Sequence, residues 1–265
     1  MQLSRTGRAT EGYGALMDWL ARDLGSRLRL GHEVRSISWR RGRVTVETAR
    51  RSQKISARAA IVTVPVSVLA ALPPERGSIT IDPVPPSLTE ALDGIAMGSA
   101  MRLVAWFESV PWHSKEHENC TFLQFSSGPF QAAWTGNPYR FPLVTLWCGG
   151  PEARVLSRLT EAELKRTFVS ELATSLGTTT RRLVRSMRGF WWHDWDRDPH
   201  SRGSYSYVTV GGRKAAEALR RPAQATLFFA GEATEKESGT VEAALVSGAR
   251  AAESADRALS RKRRR

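Results

Sequence analysis

Leu227-Phe-Phe-Ala-Gly-Glu-Ala-Thr234, followed by Gly239-Thr-Val-Glu-Ala-Ala-Leu-Val-Ser-Gly248, sets an apolar run, a glycine turn and a helix start in succession. Leu227 to Ala230 has the length of a buried strand. The run breaks at Gly231-Glu232, and a helix is expected from about Thr240 to Leu259. Val241, Ala244, Leu245, Gly248, Ala252 and Ala255 would form its apolar stripe. A helix start offers backbone N–H groups and the positive end of a dipole, which suits a phosphate or an electron-rich ring. Many α/β proteins carry such a turn with no ligand, so the turn alone leaves both readings open.

Trp191-Trp-His-Asp-Trp-Asp-Arg-Asp-Pro-His200 holds three tryptophans in five residues, a composition of cores and interfaces. His193, Asp194 and Asp196 have metal-donor atoms, but no further His or Cys stands at ligand spacing, so no metal is expected. Cys120 and Cys148 lack metal or redox spacing and read as two reduced, partly buried thiols. No Gly-x-Gly-x-x-Gly occurs; Gly12-Tyr-Gly14 lacks the third glycine and the preceding strand. The loop that lays a pyrophosphate on a helix N-terminus is therefore missing from this sequence.

The elements that must position these residues follow from periodicity and breakers. An opening helix places Leu16, Leu20 and Leu24 on one face with Trp19 beside them, and Gly25 stops it. A β segment follows in which Leu28 and Leu30 alternate with arginine and Val34 and Ile37 lead to Trp39. Arg40-Arg-Gly-Arg43 reads as a turn into a strand carrying Val44 and Val46, with Lys54 to Ala57 as a third. Ala60 to Pro65 reads as a buried strand, then Val66 to Leu72 as a short helix. Pro73-Pro74 and Pro83-Val-Pro-Pro86 mark a composition change taken as a domain crossing. Beyond it come a short helix over Ser87 to Leu92 and one strand over Ala96 to Phe107. Phe122 to Phe125, Gln131 to Thr135 and Leu143 to Cys148 add strands of a mainly antiparallel sheet. Leu156 to Leu176 is helical, with Thr160 and Glu163 as a capping box, and Thr178 to Arg182 starts another helix.

The chain has 265 residues, enough for one large core or two small ones, and its 41% apolar content is ordinary. No run of 18 apolar residues occurs and the first residues lack a signal-peptide core, so no membrane and a cytoplasmic location are expected. Of the net charge of +13, Arg261-Lys-Arg-Arg-Arg265 supplies five. A solvated tail and an acidic-partner contact both accommodate that run. With no zinc-finger, RNA-recognition or helix-turn-helix pattern, no specific nucleic acid is expected.

Phe228-Phe-Ala-Gly-Glu-Ala-Thr234 and Gly239-Thr-Val-Glu-Ala-Ala-Leu-Val-Ser-Gly-Ala-Arg-Ala-Ala252 closely resemble the C-terminal signature of the flavin-dependent amine oxidases. That family includes monoamine and polyamine oxidases, L-amino-acid oxidases and the lysine-specific histone demethylase. The resemblance implies FAD, with Gly231 and Glu232 beside its ribityl and pyrophosphate part and Thr240 and Val241 under the pyrimidine end of the ring. His32-Glu-Val-Arg-Ser-Ile37 is similar to the family strand whose valine backbone meets the adenine, which points to Val34.

Met97-Gly-Ser-Ala-Met-Arg-Leu-Val104 resembles the strand that carries a lysine holding a water against flavin N5; Arg102 stands there instead. Arginine stays protonated, and it can hold a water or bind a substrate carboxylate in bidentate fashion. Trp195-Asp-Arg-Asp-Pro and Ser201-Arg-Gly-Ser-Tyr-Ser-Tyr207 resemble the stretch that returns to the flavin domain. There Tyr205 matches a wall of the amine cage and Trp195 backs the flavin. Ser204 replaces the cysteine that monoamine oxidases link to FAD, which implies noncovalent flavin. Thr240 stands where those enzymes have the second cage aromatic.

The expected fold is α/β (α+β): a partial FAD-binding domain over 1–72 and 191–265, with an inserted mixed or antiparallel-sheet substrate domain over 73–190. The implied reaction is hydride transfer from an amine or amino-acid substrate to flavin N5, with Arg102, Tyr205 and Trp195 at the reacting centre. The FAD site is incomplete without a glycine loop, so a separately encoded FAD-binding subunit is a possible partner. A catalytically silent truncated homologue and a basic binding protein are the alternatives.

Overall fold

The structure, a computed structural model, describes residues 11–49, 54–111, 120–136, 139–236 and 238–261. The first ten residues and most of the Arg261–Arg265 run therefore lie outside the described residues.

In chain order the helices are α1 (Gly12–Ala21), α2 (Val66–Ala70), α3 (Pro86–Gly94), α4 (Pro151–Leu156), α5 (Glu161–Ser175), α6 (Thr180–Ser186), α7 (Ala215–Arg220) and α8 (Val241–Arg261). The strands are β1 (Val34–Arg40), β2 (Arg43–Thr48), β3 (Lys54–Ala57), β4 (Ala60–Val62), β5 (Thr80–Asp82), β6 (Ile95–Gly98), β7 (Ala100–Phe107), β8 (Phe122–Gln124), β9 (Ala132–Gly136), β10 (Phe141–Gly149), β11 (Met187–Trp192), β12 (Tyr205–Val208) and β13 (Leu227–Phe229).

Two buried clusters organise these elements. In one, an antiparallel sheet ordered β11-β7-β10-β9-β8 packs a face against α5. Period-two alternation sends Met101, Leu103, Ala105 and Phe107 of β7 and Val144, Leu146 and Cys148 of β10 to that face. There they meet Leu164, Phe168, Val169 and Leu172 of α5. Each of these large side chains contributes about 1.5–3 kcal/mol by leaving water. α5 starts with the expected capping box: Thr160 Oγ1 accepts from Glu163 N–H, and Glu163 Oε2 accepts from Thr160 N–H at 2.8 Å.

The second cluster joins the two ends of the chain. Sheet β3-β2-β1-β5 and the parallel pair β13-β4 bury Ile37, Val44, Val62, Leu227 and Phe229 together with Leu88, Ala91, Ile95 and Leu219. β5 pairs in parallel with β1, Ile81 opposite Ile37. Residues 73–95, expected within the inserted unit, thus share a core with the flanking segments, because Ile79, Ile81, Leu88 and Ile95 face Ile37 and Leu219.

Three further expectations change. The strand over Ala96 to Phe107 is broken at Ser99, and its halves join different sheets: β6 pairs with β12, β7 with β10 and β11. Ser99 holds the break, its carbonyl accepting from Gly150 N–H and its hydroxyl from Arg154 Nε. α1 ends at Ala21, before Gly25, and Leu28 and Leu30 lie exposed ahead of β1, which begins only at Val34. In α8 the buried face is Ala243, Ser247, Ala251 and Ala255, while Val241 and Leu245 are exposed. Small side chains let α8 approach β13 and β4 closely; the larger ones turn outward.

Candidate active site

The face of β7 that turns away from α5 carries Arg102 and Val104. In register, Trp147 of β10 stands opposite Arg102 and Trp191 of β11 opposite Val104. These residues wall a cleft of about 600 Å³ that Trp195, Ser204 and Tyr205 complete. The three side chains expected at a reacting centre, Arg102, Trp195 and Tyr205, therefore line one cavity. The Arg102 side chain has neither a hydrogen bond nor an ion pair among the described residues.

Tyr205 begins β12, whose alternation points Tyr205 and Tyr207 outward and buries Ser206. The ring spans two elements. A methyl group at Gly239, just before α8, would stand 3.7 Å from Tyr205 Cβ, and one at Gly149, closing β10, 3.6 Å from Tyr205 Oη. The N-terminus of α8 is thereby placed beside the cleft. Ser204 joins β12 to β7: its hydroxyl accepts from Ala100 N–H and donates to the Ala100 carbonyl, both at 3.1 Å.

The turn from β13 to α8 is built as the glycine requires. Gly231 has φ +140°, a conformation that disfavours side chains, and a Cβ there would meet open space. Its N–H donates to Ser247 Oγ at 2.8 Å, tying the turn to α8. Glu232 accepts from Ser206 N–H, Ser206 Oγ and Gly239 N–H at 3.0, 2.8 and 2.6 Å, so it braces β12 against the α8 entrance. Thr240 caps α8 by accepting from Ala243 N–H at 3.0 Å. Arg250 Nε pairs with Glu235 at 3.0 Å and its Nη2 donates to Thr234 Oγ1, fixing the helix to the same turn.

Val34 lies apart from that turn, in a second cleft of about 690 Å³ with Ile61, Val62, Val64 and His200. Consecutive residues line the two clefts, Val64 and His200 the second and Pro65 and Ser201 the first, and Ser67 Oγ donates to the Ser201 carbonyl at 2.7 Å there.

Two acidic residues of the tryptophan-rich stretch, Asp194 and Asp198, are engaged in turns, while Asp196 Oδ1 is buried without a hydrogen-bond partner among the described residues. Asp194 Oδ1 accepts from the N–H groups of Asp196 and Arg197. Asp198 accepts from His200 N–H and meets His193 Nε2 at 3.1 Å; His200 N–H is the main cause of its carboxyl lying below the usual range. Among the described residues no three His, Cys, Asp or Glu come together to hold a metal. Burial pushes the Cys148 thiol up to about 11, which keeps it protonated and unreactive. Trp147 and His193 are cleft residues that sequence reasoning missed. Strand alternation opposite Leu146 and Cys148 was the available signal for Trp147; His193 offered none.

Residues 2–255 match the family described as flavin containing amine oxidoreductase, and the chain belongs to that family. It is 30% identical to Polyamine oxidase 3 of Oryza sativa subsp. japonica, over 93% of this chain and 49% of that protein. It is 29% identical to Polyamine oxidase 2 of Arabidopsis thaliana, over 93% and 48%. The chain spans about half the length of these curated relatives. A putrescine oxidase redesigned in its cofactor binding shares the fold at a TM-score of 0.79 and 21% identity, over 94% of this chain and 54% of that one. Among the described residues no helix is long and apolar enough to cross a membrane.

Proposed function

We propose that this chain supplies the substrate cleft and the ring end of the flavin site of an FAD-dependent amine oxidase. The observation that carries the reading is the Tyr205 ring, which lies between the α8 entrance and the end of β10 and so sets the β13–α8 turn beside the cleft.

The residues present fit FAD. Space opens beside Gly231, the N-terminal dipole of α8 starts beside Tyr205 and its cleft, and residues next in sequence to those of the Val34 cleft line the main one, a path suited to an elongated dinucleotide. Gly231 would leave room for the ribityl and pyrophosphate part, Thr240 and Val241 would hold the ring end through backbone, Glu232 would set the turn's shape, and the Val34 backbone would meet the adenine. Bound FAD supplies the hydride acceptor. The N-terminus of α8 favours negative charge on the ring without reorganising. Tyr205 presents its ring face to the amine and orients it, Trp195 backs the ring, and the tryptophan walls give the cleft an apolar lining. Ser204, bound to Ala100 on both sides of its hydroxyl, leaves the flavin noncovalent. The reading calls for a phosphate-cradling glycine loop from elsewhere, in the same polypeptide or a second one.

The test is a complex completed with such a loop and loaded with FAD. An amine should bleach its flavin absorbance without oxygen, and acid precipitation should release all of the flavin. Tyr205→Ala should slow bleaching at least tenfold, with Tyr207→Ala affecting it less, since only Tyr205 lines the cleft. A complex that binds FAD and never bleaches would identify a catalytically silent homologue.

A further inference from the structure

The outward face of the five-stranded sheet is aromatic across adjacent strands. Trp147 of β10 packs edge-on against Trp134 of β9 at 6.5 Å, and Trp134 against Phe122 of β8 at 5.7 Å. Arg102 stands at the head of this row, opposite Trp147. It is the one permanently charged residue lining the cleft among the described residues, and no Asp or Glu lines it. Among the described residues no ion pair neutralises its guanidinium. A fork of donors held unneutralised on an aromatic wall matches a planar anion.

We infer that Arg102 binds a substrate carboxylate, and that the cleft takes an α-amino acid with a large apolar side chain rather than a di- or polyamine. The inference rests on the amine-oxidising reading above. A polyamine brings several positive charges and requires acidic partners; this lining presents none and sets a cation in the way. An amino acid satisfies each feature. Its carboxylate meets the Arg102 fork and its amine the Tyr205 ring. Its side chain packs on Trp147 at the cleft wall, from which the aromatic row runs on to Trp134 and Phe122.

Trp147, Trp191, Trp192 and Trp195 line the cleft, so tryptophan emission of the full chain reports occupancy without flavin. The probes are L-phenylalanine, phenethylamine (the same molecule without its carboxylate), 3-phenylpropionate and putrescine. L-Phenylalanine and 3-phenylpropionate should change the emission saturably, phenethylamine more weakly and putrescine least. Arg102→Gln should weaken L-phenylalanine about tenfold or more, and leave phenethylamine unchanged or tighter. Arg102→Lys should keep part of the preference, having charge without the fork. Retained phenethylamine binding shows that the variant is folded.

Phenethylamine or putrescine binding as tightly as L-phenylalanine would overturn the inference. So would an equal effect of Arg102→Gln on both ligands, or no saturable response to L-phenylalanine. Competition by inorganic pyrophosphate that disappears in Arg102→Gln would assign the residue to cofactor phosphate and likewise overturn it. Bleaching of the FAD-loaded complex by putrescine but not L-phenylalanine would remove this substrate class and leave the oxidase reading intact. A carboxylate-selective chain whose completed complex never takes up FAD would do the reverse.

Discussion

Both carboxylate oxygens of Glu232 are engaged inside the protein, one with Ser206 N–H and the other with Ser206 Oγ and Gly239 N–H. Three donors converge on one acceptor group, and an amide in its place would turn an N–H₂ toward at least one of them. Glu232→Gln should therefore destabilise the protein by about 1–3 kcal/mol, read as a lower urea midpoint. It should also weaken flavin uptake in a completed complex, because β12 and the α8 entrance lose their common brace. An unchanged midpoint would show that the brace is not holding them. The sequence marks Glu232 as part of the turn, but its partners Ser206 and Gly239 became visible only in three dimensions.

At the element scale, Gly94 and Gly212 bring α3 against the loop entering α7. A methyl group at Gly212 would stand 2.1 Å from the Gly94 carbonyl oxygen, and that backbone has no flexible end to move aside. Thr209 N–H also donates to the same carbonyl, at 3.0 Å, so the contact follows directly on β12. Gly212→Ala is expected to cost about 1–3 kcal/mol in thermal or urea unfolding. α5 offers a test of a different kind. Thr160→Ala removes its cap and should cost about 1 kcal/mol near neutral pH. The Thr160 N–H, and then its hydroxyl, hold the Glu163 carboxyl below the usual range. A depressed folded value means that this contribution is present above the ordinary glutamate pKa and lost as pH falls through the depressed one. The stability gap between the native chain and Thr160→Ala should accordingly narrow in acid; a gap constant from neutral pH to about pH 3 would exclude the linkage.

Over the whole molecule, several large apolar residues of the N-terminal region face solvent. Tyr13, Met17, Trp19 and Leu20 of α1 are exposed, as are Val241, Leu245 and Val246 of α8. Such surface favours association, so the 265-residue chain is expected to self-associate at high concentration, as sedimentation or light scattering would show. It should also bind FAD poorly by itself. Without a glycine loop the two phosphates forgo charge-assisted hydrogen bonds worth about 1.5–3 kcal/mol each, and losing two weakens binding about a hundredfold or more. A stoichiometric flavin band in the isolated monodisperse chain would refute this. The net charge of +13 adds an expectation of salt-sensitive, nonspecific polyanion binding.

The amino-acid sequence by itself determined what depends on near neighbours. The Thr160–Glu163 box, the Arg40–Arg43 hairpin turn, the alternation of β7 and β10, and the family signature over Phe228 to Ala252 all read out within a few residues. Each rests on one hydrogen bond, one turn or one periodicity. Tertiary structure decided what depends on distant pairing. The register of β10 against β7 sets Trp147 beside Arg102, and the break at Ser99 sends β6 and β7 to separate sheets. Both apolar and small-residue stripes of α8 have helical spacing, and periodicity alone does not choose between them. Close approach to β13 and β4 selected the small one, Ala243, Ser247, Ala251 and Ala255, because only short side chains leave room for strands packed that near.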